Sequence, residues 1–387
     1  MNKPKVIIVE GHVQGLSNLR SIAELGVTAW VIDKKECIAA SSKYCSKFLL
    51  CPDFISPDFA DFLMDLGEKF QLENCLLIPS NDHAVYSIAS NKNRLSKYYK
   101  ISGFDLDVID IIYDKSKLLQ LANRVGVPIP ETQYFTSSSE KLSSNLTLPV
   151  LTKGRNGLTF YKTIGKKALI SNSESQLKLD LELIKTKLSL EETFTQEVIP
   201  FDGKNKTISF TAFSVDGEIK TFWMGEKLRE HPIQFGTATL AISMRNEECL
   251  EQSRILLKEL NYTGACEIEY LIDPRNKKYK LIEINPRTWL WVGLAKECGI
   301  DYAKILYNHA NNLPYDFKTE YSLGIMWYNP ITDFVYSCIA IVKGKLSIGT
   351  YFRTIFSRNK VNAFFQKGDI KPGFKYLASL FSFVKNR

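Results

Sequence analysis

The sequence predicts a mixed fold, α/β at its N-terminus and α+β over most of the remainder. Three observations predict it. A strand–turn–helix–strand pattern opens the chain, later segments alternate as antiparallel hairpins around a helix, and positive charge gathers in an aromatic tail. The 387 residues suffice for two or three domains, and 45% hydrophobic with 24% charged residues is an ordinary globular mix.

"KVIIVEGHVQGLSNLRSIAELGVTAWVIDKK" gives the opening βαβ unit of a doubly wound sheet. Gly11 and Gly15 do not make GxGxxG, so a dinucleotide fingerprint is missing. Further strand and helix signals follow at "KFLLCPDF", "CLLIPSNDHAVYSIASN" and "KISGF", and this unit is expected to span 1–110. "YDKSKLLQLANRVGVPIPET" is a helix stopped by Gly126 and Pro128. "LPVLTKGRNGLTFYKTI" predicts a hairpin with Arg-Asn-Gly in its turn, and 173–188 an amphipathic helix. "TFTQEVIPFDGKNKTISFTAFSVDGEIKTFWMGEKL" predicts a run of antiparallel strands with Asp-Gly turns at 202–203 and 216–217. A helix over 246–260 precedes a second hairpin, "GACEIEYLIDPRNKKYKLIEINPR".

The N-terminal apolar run is too short for a signal segment or a membrane span, so a cytoplasmic location is expected. The eight cysteines show no CxxC spacing and there are four histidines, which argues against a Cys/His metal centre. The net charge is +8, yet residues 340–387 alone carry ten Lys/Arg against one Asp, and the remainder comes to about −1. Nucleic-acid binding by the main body is therefore not expected. Three readings of the tail stand. Its aromatics pack onto the body, it makes a weak membrane-surface contact as a basic interfacial element, or it binds nucleic acid, for which no recognition motif speaks.

Within "KLIEINPRTWLW", Ile282 and Ile284 alternate with Glu283, Asn285 and Arg287. A symmetric hairpin sets Glu269 across from Glu283 or its neighbour. Two carboxylates so placed repel unless a cation lies between them. Two explanations stand on physics alone: a solvated strand face, or hard oxygen ligands for Mg²⁺ beside a phosphate.

"CEIEYLID" with "YKLIEINPR" resembles the metal-binding hairpin of the ATP-grasp superfamily. "YDKSKLLQLANRVGVPIPET", "LPVLTKG" and "TQEVIPFDG" are similar, in the family's order, to its first lysine segment, second lysine strand and adenine hinge. The resemblance implies an ATP-grasp fold over 111–312, with a lid at about 140–200. It also implies a Rossmann-like N-terminal domain, and 313–387 remains as a basic C-terminal extension. It implies that Lys115 and Lys153 contact ATP phosphates, that Glu197, Val198 and Ile199 form the hinge, and that Asp202, or else Lys204 or another residue near it, takes the ribose. Glu269, Glu283 and Asn285 would hold Mg²⁺ (or Mn²⁺), two ions being the expectation, and Arg287 would stabilise the transferring group. In "GEKLREHPIQFGTATLAIS", Lys227, Arg229 and His231 alternate on one face. Either they form a solvated basic strand, or, as the resemblance implies for Lys227 and Arg229, they act near the acceptor. The glycine-rich flap of many relatives is reduced to Gly154 and Gly157 in "GRNGLTFYK".

The implied activity is an ATP-dependent ligase that joins a carboxylate to an amine through an acylphosphate, releasing ADP and phosphate. The alternatives are a carboxylase or carbamoyl-phosphate-type activity, or a non-catalytic nucleotide binder. The expected partners are small molecules, an amino acid or cell-envelope precursor among them, and a homodimer is compatible with this.

Overall fold

The computed structural model describes residues 3–103, 105–201, 205–231, 236–357 and 359–385. The chain opens with β1 (Val6–Val9), α1 (Val13–Glu24), β2 (Ala29–Asp33), β3 (Cys45–Leu50), α2 (Asp58–Lys69), β4 (Cys75–Pro79), α3 (Asp82–Ser90), α4 (Lys92–Leu95) and β5 (Tyr99–Lys100). Their strands form a parallel sheet in the order β3-β2-β1-β4-β5. Helices cover both faces of such a sheet, which is why β1, β2 and β4 are unbroken buried runs. The strand order reverses between β1 and β4, where doubly wound sheets bind ligands at their carboxyl ends. Glu10 follows β1 there at φ +73°, and a Cβ on Gly15 would come within 2.1 Å of the Glu10 carbonyl oxygen, so glycine is required.

Next come α5 (Leu106–Tyr113), α6 (Lys115–Arg124), β6 (Thr132–Gln133), β7 (Val150–Gly154), α7 (Gly157–Ile164), β8 (Leu169–Ser171), α8 (Glu174–Lys185) and β9 (Thr193–Glu197). Four of them make a small antiparallel sheet, β6-β9-β7-β8. Its core joins Val150, Phe160, Leu177 and Leu181. The expected Arg-Asn-Gly hairpin turn is corrected. Asn156 caps α7 by accepting from the Leu158 and Thr159 amides, so a helix intervenes between β7 and β8.

The rest is β10 (Thr207–Val215), β11 (Glu218–His231), β12 (Thr237–Ser243), α9 (Glu247–Glu259), β13 (Gly264–Ile272), β14 (Tyr279–Asn285), α10 (Val292–Glu297), α11 (Tyr302–Ala310), β15 (Met326–Tyr328), α12 (Pro330–Val342), α13 (Ile348–Ile355), β16 (Lys360–Asn362) and α14 (Lys371–Lys385). A seven-stranded sheet runs β14-β13-β10-β11-β12-β15-β16. One core packs Phe210, Met224 and Ile268 against α6 and α9. Another packs Trp223, Trp289 and Trp291 against α1 and the first sheet. β9 and β10 lie in different sheets, so the expected run of strands is split between them. The Asp216–Gly217 turn forms, with φ of +50° and +77°, while the 202–203 turn lies outside the described residues.

The region expected as an extension is built into the main sheet. β15 pairs antiparallel with β12, β16 pairs parallel with β15, and Phe364 is fully buried. Arg20 of α1 binds Asp369 at 2.9 Å in a dry contact.

Candidate active site

Strands β13 and β14 pair with Glu269 opposite Glu283 and Glu267 opposite Asn285. The register shifts beside Glu269, so Ile282 is an extra residue on β14. Leu281 and Ile284 therefore enter the core, and Ile282 faces the cleft, contrary to simple alternation.

Each facing carboxylate has its own cation. Lys227 Nζ donates to both oxygens of Glu269 at 3.0 and 2.8 Å, and Lys115 Nζ donates to Glu283 at 2.7 Å. Attraction to Lys115 holds the Glu283 carboxyl well below the usual range. Burial alone would lower the Lys227 pKa, but Glu269 and Glu267 outweigh it and raise it. Lys227 is 7% exposed and fixed, whereas Lys115 and Glu283 keep about a third of their surface in the cleft. The second pair is the one an entering anion or cation can open at small cost.

Local structure aims these groups. Asp114 caps α6 by accepting from the Ser116 and Lys117 amides and pairs with Arg155, which sets Lys115 on the first helical turn. Asn285 Nδ2 donates to Glu267 at 3.0 Å, and Ser209 Oγ donates to Glu267 at 2.7 Å. Those bonds turn the Asn285 amide oxygen toward Arg287, 3.3 Å away. Burial and the adjacent Glu269 push the Glu267 carboxyl up. Arg287 reaches the start of α3 and pairs with both oxygens of Asp82 at 2.8 and 2.9 Å. Glu10 sits nearby, bonded by Asn81 and Gln14, and burial raises its pKa to about 7. On β7, burial and then Lys115 lower the Lys153 pKa to about 8.

A cleft of about 830 Å³ brings together Lys115, Lys153, Glu197, Ile199 and Lys227 with Glu269, Glu283, Asn285 and Arg287. The Glu197 carboxylate is turned away into a buried network with Lys280, Arg275 and the Glu131 amide, so only its backbone could read a base. The Val198 amide donates to the Pro149 carbonyl at 3.2 Å, and Val198 does not line the cleft. Asp202 and Lys204 lie outside the described residues.

Arg229 is a correction. The β11 register shifts on both sides of it, which turns its guanidinium out of the cleft onto Asp333 at 2.7 and 2.8 Å. Glu230 takes the cleft position instead. His231 stacks on Tyr336 of α12.

Sequence reasoning missed Glu267, Glu10, Asp82 and Glu230. Glu267 was within reach, because it lies two residues before Glu269 and shares its strand face. Glu10 and Asp82 carried a weaker signal, polar residues just after parallel strands.

A model of the carbamoyl-phosphate synthase L chain ATP-binding domain matches residues 226–315, which include the whole β13–β14 hairpin. Over that stretch the chain is similar to an ATP-binding domain of the ATP-grasp kind. A D-aspartate ligase of Enterococcus faecium (strain Aus0004) is 24% identical over 222 residues, covering 55% of this chain. The chain covers 53% of that ligase, so it spans about half the length of the curated relative it matches. Biotin carboxylase from Campylobacter jejuni, solved as a β,γ-ATP complex, superposes with a TM-score of 0.65 at 16% identity, over 84% of this chain and 74% of its own. L-amino acid ligase from Bacillus licheniformis gives 0.60 at 15% identity, over 80% and 75%.

The ATP-grasp fold implies a divalent cation, and the donor set suits a hard one. Two carboxylates face each other across a rigid ladder pair, and an oriented amide oxygen stands beside them. Among the described residues no three acidic, His or Cys side chains converge as a closed cage. Mg²⁺ is commonly held by one or two carboxylates and completed by phosphates and water.

Proposed function

We propose that this protein is a member of the ATP-grasp superfamily and an ATP-dependent carboxylate–amine ligase. One observation carries the reading: four cations, Lys115, Lys153, Lys227 and Arg287, ring an acid pair and an amide oxygen in a single cleft. Such a ring suits a triphosphate beside a second anion. Glu269, Glu283 and Asn285 would hold one or two Mg²⁺, which would neutralise phosphate charge and orient the terminal phosphoryl group.

The γ-phosphoryl group passes to the substrate carboxylate, giving an acylphosphate and ADP. The amine then attacks the acyl carbon, the C–O bond to phosphate breaks, and phosphate leaves as the amide forms. Lys115 and Lys153 would position the triphosphate, the Glu197–Ile199 segment would carry the adenine, and Lys227 would keep Glu269 ionised. Arg287, which Asp82 holds in place, would stabilise the charge that builds on the phosphoryl and tetrahedral states. No nucleophilic side chain is needed, since phosphoryl transfer rests on positioning and charge.

The names of the D-aspartate ligase and the L-amino acid ligase support amide formation with an amino acid as one substrate. The likeness to biotin carboxylase favours a second reading, carboxylation with bicarbonate. A cytoplasmic location, where ATP is plentiful, belongs to the same proposal, and a homodimer is compatible with it. ADP release across a library of carboxylates and amines tests the proposal. Release that needs both an acid and an amine supports ligation, release that needs bicarbonate supports the second reading, and no release with any pair removes both.

A further inference from the structure

From the faces of α12 and α13 we infer that this protein docks on an anionic lipid bilayer through the outer surface of those two helices. The inference is independent of the chemistry in the cleft. On α12, Phe334, Val335, Cys338, Ile339 and Val342 recur at helical spacing and are all exposed, Val342 by 88%. On α13 and its cap, Ile348, Phe352 and Phe356 recur every fourth residue and are exposed, Phe356 by 75%. The opposite faces are accounted for. Asp333 on α12 and Thr354 on α13 both bind Arg229, and Tyr351 lies under the same guanidinium. Both helices therefore turn their inner faces to Arg229 and their apolar stripes away from the body. An exposed apolar surface of this extent marks an interaction site.

Charge selects the occupant. Lys343 and Lys345 are exposed in the link between the helices, and Arg353 is exposed on α13. From residue 334 to 368 the sequence has six Lys/Arg and no Asp or Glu, and the acids at its two ends, Asp333 and Asp369, are neutralised by Arg229 and Arg20. A twofold contact with a second copy would set this basic patch against itself with no acid to answer it. An anionic bilayer supplies apolar depth and negative charge together. No helix among the described residues is long and apolar enough to cross a membrane, so the helices lie on the surface.

The test is co-sedimentation of the full-length protein with phosphatidylglycerol/phosphatidylcholine vesicles and with phosphatidylcholine vesicles alone. The expected result is at least about tenfold stronger binding to the anionic vesicles, weakened by salt. The double substitution Val342→Glu/Phe356→Glu should abolish it while the melting temperature and nucleotide turnover stay at wild-type values. Both residues are exposed, so the fold does not depend on them. Wild-type protein that stays in the supernatant with anionic vesicles overturns the inference. So does a double variant that binds like wild type. A wild-type dimer in light scattering, monomeric in the double variant and without vesicle binding, overturns it in favour of self-association.

Discussion

Lys153 offers a quantitative handle on nucleotide binding. In the unliganded cleft, burial and then the neighbouring Lys115 bring its pKa to about 8, against an ordinary 10.5. At pH 8 the ammonium is therefore about half protonated. A triphosphate beside it restores the charged form, so binding at pH 8 should take up about 0.5 proton per nucleotide. At pH 7 the uptake falls to about 0.1, and at pH 9 it rises to about 0.9. The same shift acts on stability. Between about 8 and 10.5 the unfolded chain binds more protons than the folded one, so the unliganded protein gains stability as pH rises through that window, by at most about 3 kcal/mol. Calorimetric titration with an ATP analogue in two buffers of different ionisation enthalpy reads the uptake directly. Lys153→Met should abolish it and weaken binding. Tight binding at pH 8 without proton uptake, or the same uptake in Lys153→Met, would refute the placement of Lys153 at the phosphates.

Glu283→Gln should lower kcat/KM for ADP release by more than about 100-fold while the melting temperature changes little, because the Lys115–Glu283 pair is partly open to solvent. Arg229→Ala should do the reverse. It strands the buried Asp333 carboxylate and should cost about 3 kcal/mol or more in a denaturation titration, with ADP release within about threefold of wild type. Glu10 has a folded-state pKa raised to about 7 from 4.5. Its favourable contribution is complete below about pH 4.5 and is lost as pH rises through 7. Glu10→Gln should therefore be more stable than wild type at pH 8, by no more than about 3 kcal/mol, with no such advantage at pH 4.

The centre of the site was legible because its grammar is local. An Asn and an Arg at period two from a Glu are odd on a strand, and the hairpin loop fixed the partner strand to within one residue. What escaped depends on backbone detail or on distance in sequence. The extra residue at Ile282 and the shifts around Arg229 are bulges, and a one-residue slip reverses which side chains face inward. Asn-Gly serves a hairpin turn and a helix cap equally well, and only packing of Phe160 into the small core makes the helix at 157. Glu10 follows β1 and Asp82 opens α3 in the N-terminal unit, so their approach to Arg287 is purely tertiary. The strands at 326–328 and 360–362 are three residues each, too short to show a period, and the basic composition around them hid their place in the main sheet.

The most direct measurement is a crystal structure with Mn²⁺ and a non-hydrolysable ATP analogue, using anomalous scattering to locate the metal. One or two Mn²⁺ ions should lie within about 2.3 Å of oxygens from Glu269, Glu283 and Asn285, with the triphosphate against Lys115 and Lys153. Metal and nucleotide bound away from that hairpin, with the Lys115–Glu283 and Lys227–Glu269 pairs undisturbed, would contradict the account.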